Sequence, residues 1–248
     1  MDNSEKQWKI IYKIGAVTTI IVLIGIVIDM VVGIVTGGNI TELPQTAIER
    51  FNQFKETPLL GLYNLDILNI INQIILIPSI FALYAAHRNT NKPFALLSLI
   101  LFLVGTTIFV TSNTALTMLD ISQKYFAASS EEQRMLLAAA GEAMLAKGSH
   151  GSLGVFFGFA LPTFANVLMT AVMLNGKVFS RATSYIGLVG NILLLLYIIL
   201  VTFFPEVEKM ALLFAMPAGL LAMAWMIMFT IKLLKLSKIR KHPIKHIL

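Results

Sequence analysis

Polar side chains recur at one depth within stretches of the chain that are otherwise apolar. Asp66, Asn69 and Gln73 lie at positions i, i+3 and i+7, so a helix would carry all three on one face. That face must turn into a helix bundle, because a carboxylate exposed to lipid is strongly disfavoured. Asp29 lies in another apolar stretch, at a similar distance from its end. An ionisable residue within a membrane span is by default a candidate for binding a ligand or an ion.

Two further polar residues complete the predicted site. Asn64 precedes Asp66 by two residues, and Asn113 lies near the end of a third apolar stretch. We predict an outward-facing polar pocket lined by Asp29, Asn64, Asp66, Asn69, Gln73 and Asn113. It would bind or sense a small molecule, an ion or a lipid, with transport of that ligand as an extension. The alternative is a structural or accessory membrane subunit without chemistry, since Asn and Gln also hydrogen-bond across helices and hold bundles together.

An intramembrane enzyme with a metal or acid–base site is a further alternative. Asp120 and His150 flank the region after the third apolar stretch and would supply it. A metal site needs at least three protein ligands, and no His-Glu-x-x-His or comparable motif is present. The chain also has no cysteine, which excludes thiolate ligands and cysteine nucleophiles. We therefore expect no cofactor and favour a protein that is not an enzyme.

The composition places these residues in a membrane protein. Of 248 residues, 57% are hydrophobic and 13% are charged. Six apolar runs are long enough to cross a hydrocarbon core of about 30 Å. They cover residues 14–36, 59–86, 93–119, 152–174, 183–204 and 210–234. We predict an all-α integral membrane protein, a bundle of six transmembrane helices with two helical extracytoplasmic loops, in one domain spanning residues 1–248.

The distribution of Lys and Arg predicts the orientation. With both termini in the cytoplasm, 13 of the 19 basic residues lie on the cytoplasmic side, as the positive-inside rule requires. A basic cytoplasmic tail covers residues 232–248, where Lys235, Lys238, Arg240 and Lys241 would contact anionic lipid headgroups. The predicted partners are thus the bilayer and a small ligand, without nucleic acid. The oligomeric state stays open.

The two long outer loops, residues 37–58 and 120–151, each contain a predicted helix. In the first loop, one helical face is apolar and comprises Ala47, Ile48, Phe51 and Phe54. In the second, a capping box at Ser129 or Ser130 begins a helix whose apolar stripe includes Met135 and Leu136, and Gly148 ends it. Both helices would lie at the outer interface or cover the bundle, with the second as a lid over the pocket.

Two stretches of the chain resemble a known family. One runs from Ser112-Asn-Thr-Ala-Leu-Thr-Met-Leu119 through Tyr125 to residues 133–146, and the other is residues 179–191. With the six-span layout, they resemble a prokaryotic family of polytopic membrane proteins described only as a domain of unknown function. The resemblance covers the chain from about the second span to the sixth. It implies a six-helix bundle and implies no activity, substrate or site residue.

Overall fold

The computed structural model describes residues 3–35, 44–149 and 151–238 of the chain. Within these ranges the chain forms ten α-helices and no strand. They are α1 (Asn3–Val35), α2 (Ala47–Glu56), α3 (Pro58–Tyr63), α4 (Ile67–His87), α5 (Lys92–Ser112), α6 (Ala115–Ala127), α7 (Glu131–Gly148), α8 (Leu153–Gly176), α9 (Arg181–Phe203) and α10 (Glu208–Lys238). A 3₁₀ turn, Pro205–Val207, precedes α10. Six segments, built on α1, α4, α5, α8, α9 and α10, are long and apolar enough to cross a membrane.

The six spanning helices pack as a closed ring. Around it, α1 contacts α4, α4 contacts α5, α5 contacts α8, α8 contacts α9, α9 contacts α10, and α10 returns to α1. Because the number of passes is even, Asn3 and Lys238 lie at the same end, which we call the terminal side. The opposite end carries α2, α3, α6 and α7, which together we call the cap. The predicted all-α bundle of six spans with helical loops is confirmed.

Close approach between neighbouring helices depends on small residues, as is usual in membrane bundles. At Gly158 of α8, an added Cβ would lie 2.9 Å from the Cα of Phe109 on α5. At Gly187 of α9, an added Cβ would overlap Trp225 of α10. These contacts fix the walls of the ring, and large side chains such as Phe102 fill its interior.

Two of the predicted spans are interrupted on the cap side, which corrects their boundaries. The span predicted from residue 59 begins only at Ile67, because α3 ends at Tyr63 and Asp66 adopts a left-handed backbone with φ 65°. The span predicted to reach residue 119 ends at Ser112, where Asn113 is extended with ψ 142°. Hydropathy does not detect these breaks, since the cap helices on their far side are also packed into an apolar core.

That second core joins α2, α6 and α7. It is formed by Ala47, Phe51 and Phe54 of α2 and Met118 of α6, with Leu145 of α7 packed against them. The predicted helix in the first outer loop is therefore confirmed. Its predicted apolar face is wrong at one position, because Ile48 is 44% exposed.

The helix predicted in the second outer loop is α7, and its packing agrees with the predicted stripe only in part, since Leu145 of that stripe packs against the second core. It begins after Ser130, whose hydroxyl accepts a hydrogen bond from the backbone N–H of Gln133, and it ends at Gly148 as expected. Met135 and Leu136 of the predicted stripe are exposed. The helix instead lies against α2 at Gly141, where the missing side chain lets Phe51 approach.

Candidate functional site

A cavity of about 510 Å³ lies between the cap and the bundle, and we call it the cap pocket. Its walls come from α2, from α7, from the cap-side ends of α5 and α8, and from the two backbone breaks at residues 64–66 and 113–114. Irregular backbone at the edge of a membrane bundle is tolerated where it lines a cavity or is buried in protein. The interruptions of the second and third spans are therefore what create this pocket.

Asn113 joins the two breaks. Its side-chain Nδ2 donates to the carbonyl oxygen of Leu65 at 2.6 Å, and its Oδ1 accepts from the backbone N–H of Ala115 at 2.9 Å. One amide thus bonds to the chain ahead of α4 and to the first residue of α6. This side chain sets the distance between the two walls of the pocket.

Among the described residues, three charged side chains line the cap pocket, namely Arg50, Asp66 and Glu142. Arg50 is only 7% exposed. Its Nη1 donates to Oε1 of Gln53 at 3.2 Å, whereas its Nε has no hydrogen-bond partner among the described residues. Neither Asp66 nor Glu142 lies within 4.0 Å of the guanidinium as an ion-pair partner. The pocket wall therefore presents a buried cation that forms no ion pair within the described part of the chain.

Burial disfavours the charged form of this arginine. Desolvation lowers the pKa of Arg50, and the charge of its neighbour Glu49 acts in the opposite direction. A guanidinium nevertheless stays protonated in proteins. Arg50 is accordingly a permanent positive charge on the wall of a cavity of ligand size.

The two carboxylates in the pocket are each held by one hydrogen bond. Oδ1 of Asp66 accepts from Nδ2 of Asn69 at 3.0 Å. Oε1 of Glu142 accepts from the backbone N–H of Ala47 at 2.7 Å, which ties α7 to the first turn of α2. A carboxylate offers about four acceptor positions, so both groups retain capacity to bind a cationic group in the pocket.

The structure brings together part of the predicted site. Asn64, Asp66 and Asn113 line the cap pocket. Asn69 lies outside the lining and donates a hydrogen bond to the carboxylate of Asp66. Gln73 lies about two helical turns beyond Asp66 and outside the lining.

Asp29 also lies outside the lining, in a contact with α3. Its carbonyl oxygen accepts a hydrogen bond from the Tyr63 hydroxyl at 3.0 Å. Burial, together with hydrogen bonding to Asp29 and the charges of Asp29 and Asp66, raises the pKa of Tyr63 to about 12. Both predicted carboxylates thus act on the same tyrosine, but only Asp66 reaches the pocket.

The residues considered for a metal or acid–base site are placed elsewhere. Asp120 is exposed on α6 and forms an ion pair with Lys124 at 2.6 Å. His150 lies outside the described residues. In the described ranges, no group of three His, Asp or Glu side chains is spaced to hold a metal ion.

Two of the four predicted lipid-contacting residues, Lys235 and Lys238, lie on the terminal side. Lys235 lines a shallow groove of about 330 Å³ with Lys232, Ser180 and Thr183. Lys238 is the last residue of α10, while Arg240 and Lys241 lie outside the described residues.

The predicted pocket lacked two of the three charged residues that the structure places in its lining among the described residues, Arg50 and Glu142. A signal for Arg50 was present, because Ala47, Arg50, Phe51 and Phe54 follow the i, i+3, i+4, i+7 pattern of one buried helical face. An arginine within such a stripe is unusual unless something compensates its charge. No comparable local pattern marks Glu142.

These features define a helical membrane protein with six spans and a polar pocket beneath a helical cap. The chain belongs to the family described as a domain of unknown function, DUF4386, whose profile matches residues 15–232. The match includes the cap and most of the spanning ring, and it confirms the resemblance noted in the sequence. No curated protein and no solved structure matches the chain significantly.

Proposed function

We propose that this protein is a ligand-binding or ligand-sensing membrane protein whose cap pocket binds a negatively charged group of its ligand. The single observation that carries the proposal is Arg50, a buried cation on the pocket wall with no ion-pair partner among the described residues. Burying a charge without a partner is costly, and the cost is recovered when a counter-charge binds. A guanidinium also offers several N–H donors in a geometry that matches carboxylate and phosphate oxygens.

The packing of the bundle supports binding or sensing in preference to transport. Toward the terminal side, the interior of the ring is filled by large apolar side chains that include Phe102, Met169 and Phe229. The described polar groups of the pocket gather at the cap end and do not continue through this core. A ligand bound at Arg50 would therefore be reached from the cap side.

Thermal unfolding in detergent tests the proposal with three soluble probes: inorganic phosphate, glycine and phosphoethanolamine. We expect at least one probe to raise the unfolding midpoint saturably in the wild type, because a ligand that binds only the folded state stabilises it. Arg50→Gln should abolish that rise. The matched control is Arg134→Gln, which makes the same change at an arginine outside the pocket lining. An absent response to all three probes, or an equal response in Arg50→Gln, contradicts the proposal.

We also propose that the cap faces the outside of the cell and that both ends of the chain face the cytoplasm. The excess of Lys and Arg on the terminal side supports this orientation. The absence of cysteine allows a direct test, since a single cysteine introduced by Ser129→Cys in the cap or Asn89→Cys on the terminal side would be the sole thiol. A membrane-impermeant maleimide should label the first variant in intact cells and not the second. The reverse result would invert the orientation.

At the terminal side, we propose that Lys235 and Lys238 contact anionic lipid headgroups. The support is the groove in which Lys235 and Lys232 stand beside two hydroxyl side chains. Replacing Lys235 and Lys238 by Gln should reduce the phosphatidylglycerol that remains bound in native mass spectrometry. Unchanged retention would count against the contact.

A further inference from the structure

A second cavity adjoins the cap pocket and differs from it in chemistry. It measures about 190 Å³ and lies between α8 and α9, and we call it the α8/α9 cleft. Its walls are almost entirely apolar and include Phe156, Phe159, Leu194, Ile198 and Val201. An apolar cavity of about 150 Å³ already suffices to hold a benzene molecule. The cleft is therefore large enough to hold part of a hydrocarbon chain.

Val155 lies where the two cavities adjoin, because it lines both of them. It is the third residue of α8, at the level where the bundle meets the cap. The cleft continues from there along α9 between Leu194 and Thr202, a length of about 12 Å. A polar pocket and an apolar groove that meet at one residue match a ligand with a polar head and a hydrocarbon tail.

The charges in the cap pocket indicate which charges the polar headgroup of the ligand should carry. Arg50 presents one positive group, while Asp66 and Glu142 present two negative groups that each retain acceptor capacity. A headgroup with only negative charge would satisfy Arg50 and be repelled by the carboxylates. A headgroup that carries both a phosphate and a primary ammonium would place each charge beside its opposite and form charge-assisted hydrogen bonds to both.

We infer that the ligand is an amine-bearing zwitterionic phospholipid. Its phosphate binds Arg50, its ammonium binds Asp66 or Glu142, and one acyl chain occupies the α8/α9 cleft. This inference rests on the proposed function and adds the class of ligand and a second site of contact. The cleft is bounded by two membrane-spanning helices, so a lipid of the surrounding bilayer reaches it without leaving the membrane.

Native mass spectrometry of the protein with defined lipids tests the inference. Phosphatidylethanolamine and phosphatidylglycerol with identical acyl chains are compared at equal concentration in a Lys235→Gln/Lys238→Gln background, which removes the basic site proposed for phosphatidylglycerol on the terminal side. Soluble phosphoethanolamine is titrated in parallel by thermal unfolding. We expect phosphatidylethanolamine to be retained about tenfold better than phosphatidylglycerol, the ratio expected when one charge-assisted hydrogen bond is lost. Asp66→Asn, which preserves the residue's size and its hydrogen bond with Asn69, should reduce this preference.

The cleft is tested by Leu194→Trp, which fills it, and by the matched control Leu196→Trp, whose side chain is 43% exposed on the neighbouring surface of α9. Leu194→Trp should lose bound phosphatidylethanolamine but keep the thermal response to soluble phosphoethanolamine. The control should keep both.

The outcomes separate this inference from the proposed function. If soluble phosphoethanolamine binds in an Arg50-dependent way but Leu194→Trp retains lipid as the wild type does, the acyl-chain site is overturned while the pocket stands. Equal retention of the two lipids overturns the choice of an amine-bearing headgroup. If neither soluble probes nor lipids respond to Arg50→Gln, both the inference and the proposed function are overturned.

Discussion

The substitution Arg50→Met distinguishes a ligand-binding role of this arginine from a structural role. Methionine keeps an apolar stem of similar length and deletes the guanidinium. The change relieves the unpartnered Nε, a buried donor whose cost is about 1–3 kcal/mol, and removes the Nη1 hydrogen bond to Gln53, which contributes about 1.5–3 kcal/mol. These contributions oppose each other and are similar in size. Deleting the unpaired charge also removes the cost of burying it, so we expect the free energy of unfolding of the ligand-free protein to fall by no more than about 1 kcal/mol.

A structural role for Arg50 predicts a much larger effect. If the guanidinium were paired with a carboxylate of the chain, its removal would leave a buried negative charge and cost about 3–5 kcal/mol. For a chain of this size, each kcal/mol moves the unfolding midpoint by about 2–4 °C. The two cases thus correspond to a fall of no more than about 4 °C and a fall of about 6–20 °C.

The assay is thermal unfolding in detergent at a fixed heating rate, with and without phosphoethanolamine. A ligand at a hundred times its dissociation constant stabilises the folded state by about 2.7 kcal/mol, or about 5–11 °C. The wild type should show this rise and Arg50→Met should show none, while both share nearly the same midpoint without ligand. A fall of more than about 6 °C in the ligand-free variant, or a ligand response that survives the substitution, would refute the reasoning.

Three further predictions concern the cap that holds Arg50 in place. Gly141→Val should lower stability by about 1–3 kcal/mol through overpacking, because an added Cβ would lie 2.7 Å from the Cβ of Ala47. The matched control is Gly219→Val, since an added Cβ at Gly219 would have nothing within 4 Å. Equal unfolding midpoints for the two variants would contradict this packing. Asn113→Ala removes the hydrogen bond to Leu65 that joins the two backbone breaks and the local bond from Ala115, and it should cost about 1–3 kcal/mol in thermal unfolding; an unchanged midpoint is the contrary result. Hydrogen bonds from the backbone N–H groups of Thr46 and Gln45 lower the pKa of Glu49 from its ordinary value of 4.5, so the stability they provide is complete above that pH and is lost as the pH falls through the lowered value. Glu49→Gln should flatten the dependence of the midpoint on pH below 4.5, and identical profiles for variant and wild type would disprove the assignment.

The architecture of the bundle could be predicted because it follows from composition over long windows. A run of eighteen or more apolar residues has few ways to be buried other than spanning a membrane. The cap helix α2 could also be predicted from the sequence, since Phe51 and Phe54 lie on one face of a short amphipathic segment. In both cases a repeated local pattern determines the element.

The pocket could be predicted only in part, because it depends on local backbone geometry and on contacts between distant segments. The sequence predicts Asp66 inside a continuous helix. In the structure its left-handed backbone interrupts the chain just before α4 begins, and Asp66 lines the pocket. Such a conformation leaves no periodic signature, although aspartate tolerates it better than most residues. Glu142 lines the same pocket from α7, although it lies 76 residues after Asp66 in the chain. Its hydrogen bond to the first residue of α2 joins segments that are distant in the sequence, so residue spacing does not predict it.

The most direct test of the central claim is an experimental structure of the protein in nanodiscs that contain phosphatidylethanolamine, determined by electron cryomicroscopy with a bound antibody fragment. We predict density in the cap pocket whose anionic group lies within hydrogen-bond distance of the Arg50 guanidinium, and its loss in Arg50→Met prepared in the same way. A wild-type map in which Arg50 instead pairs with a carboxylate of the chain, without ligand density beside it, would contradict the claim.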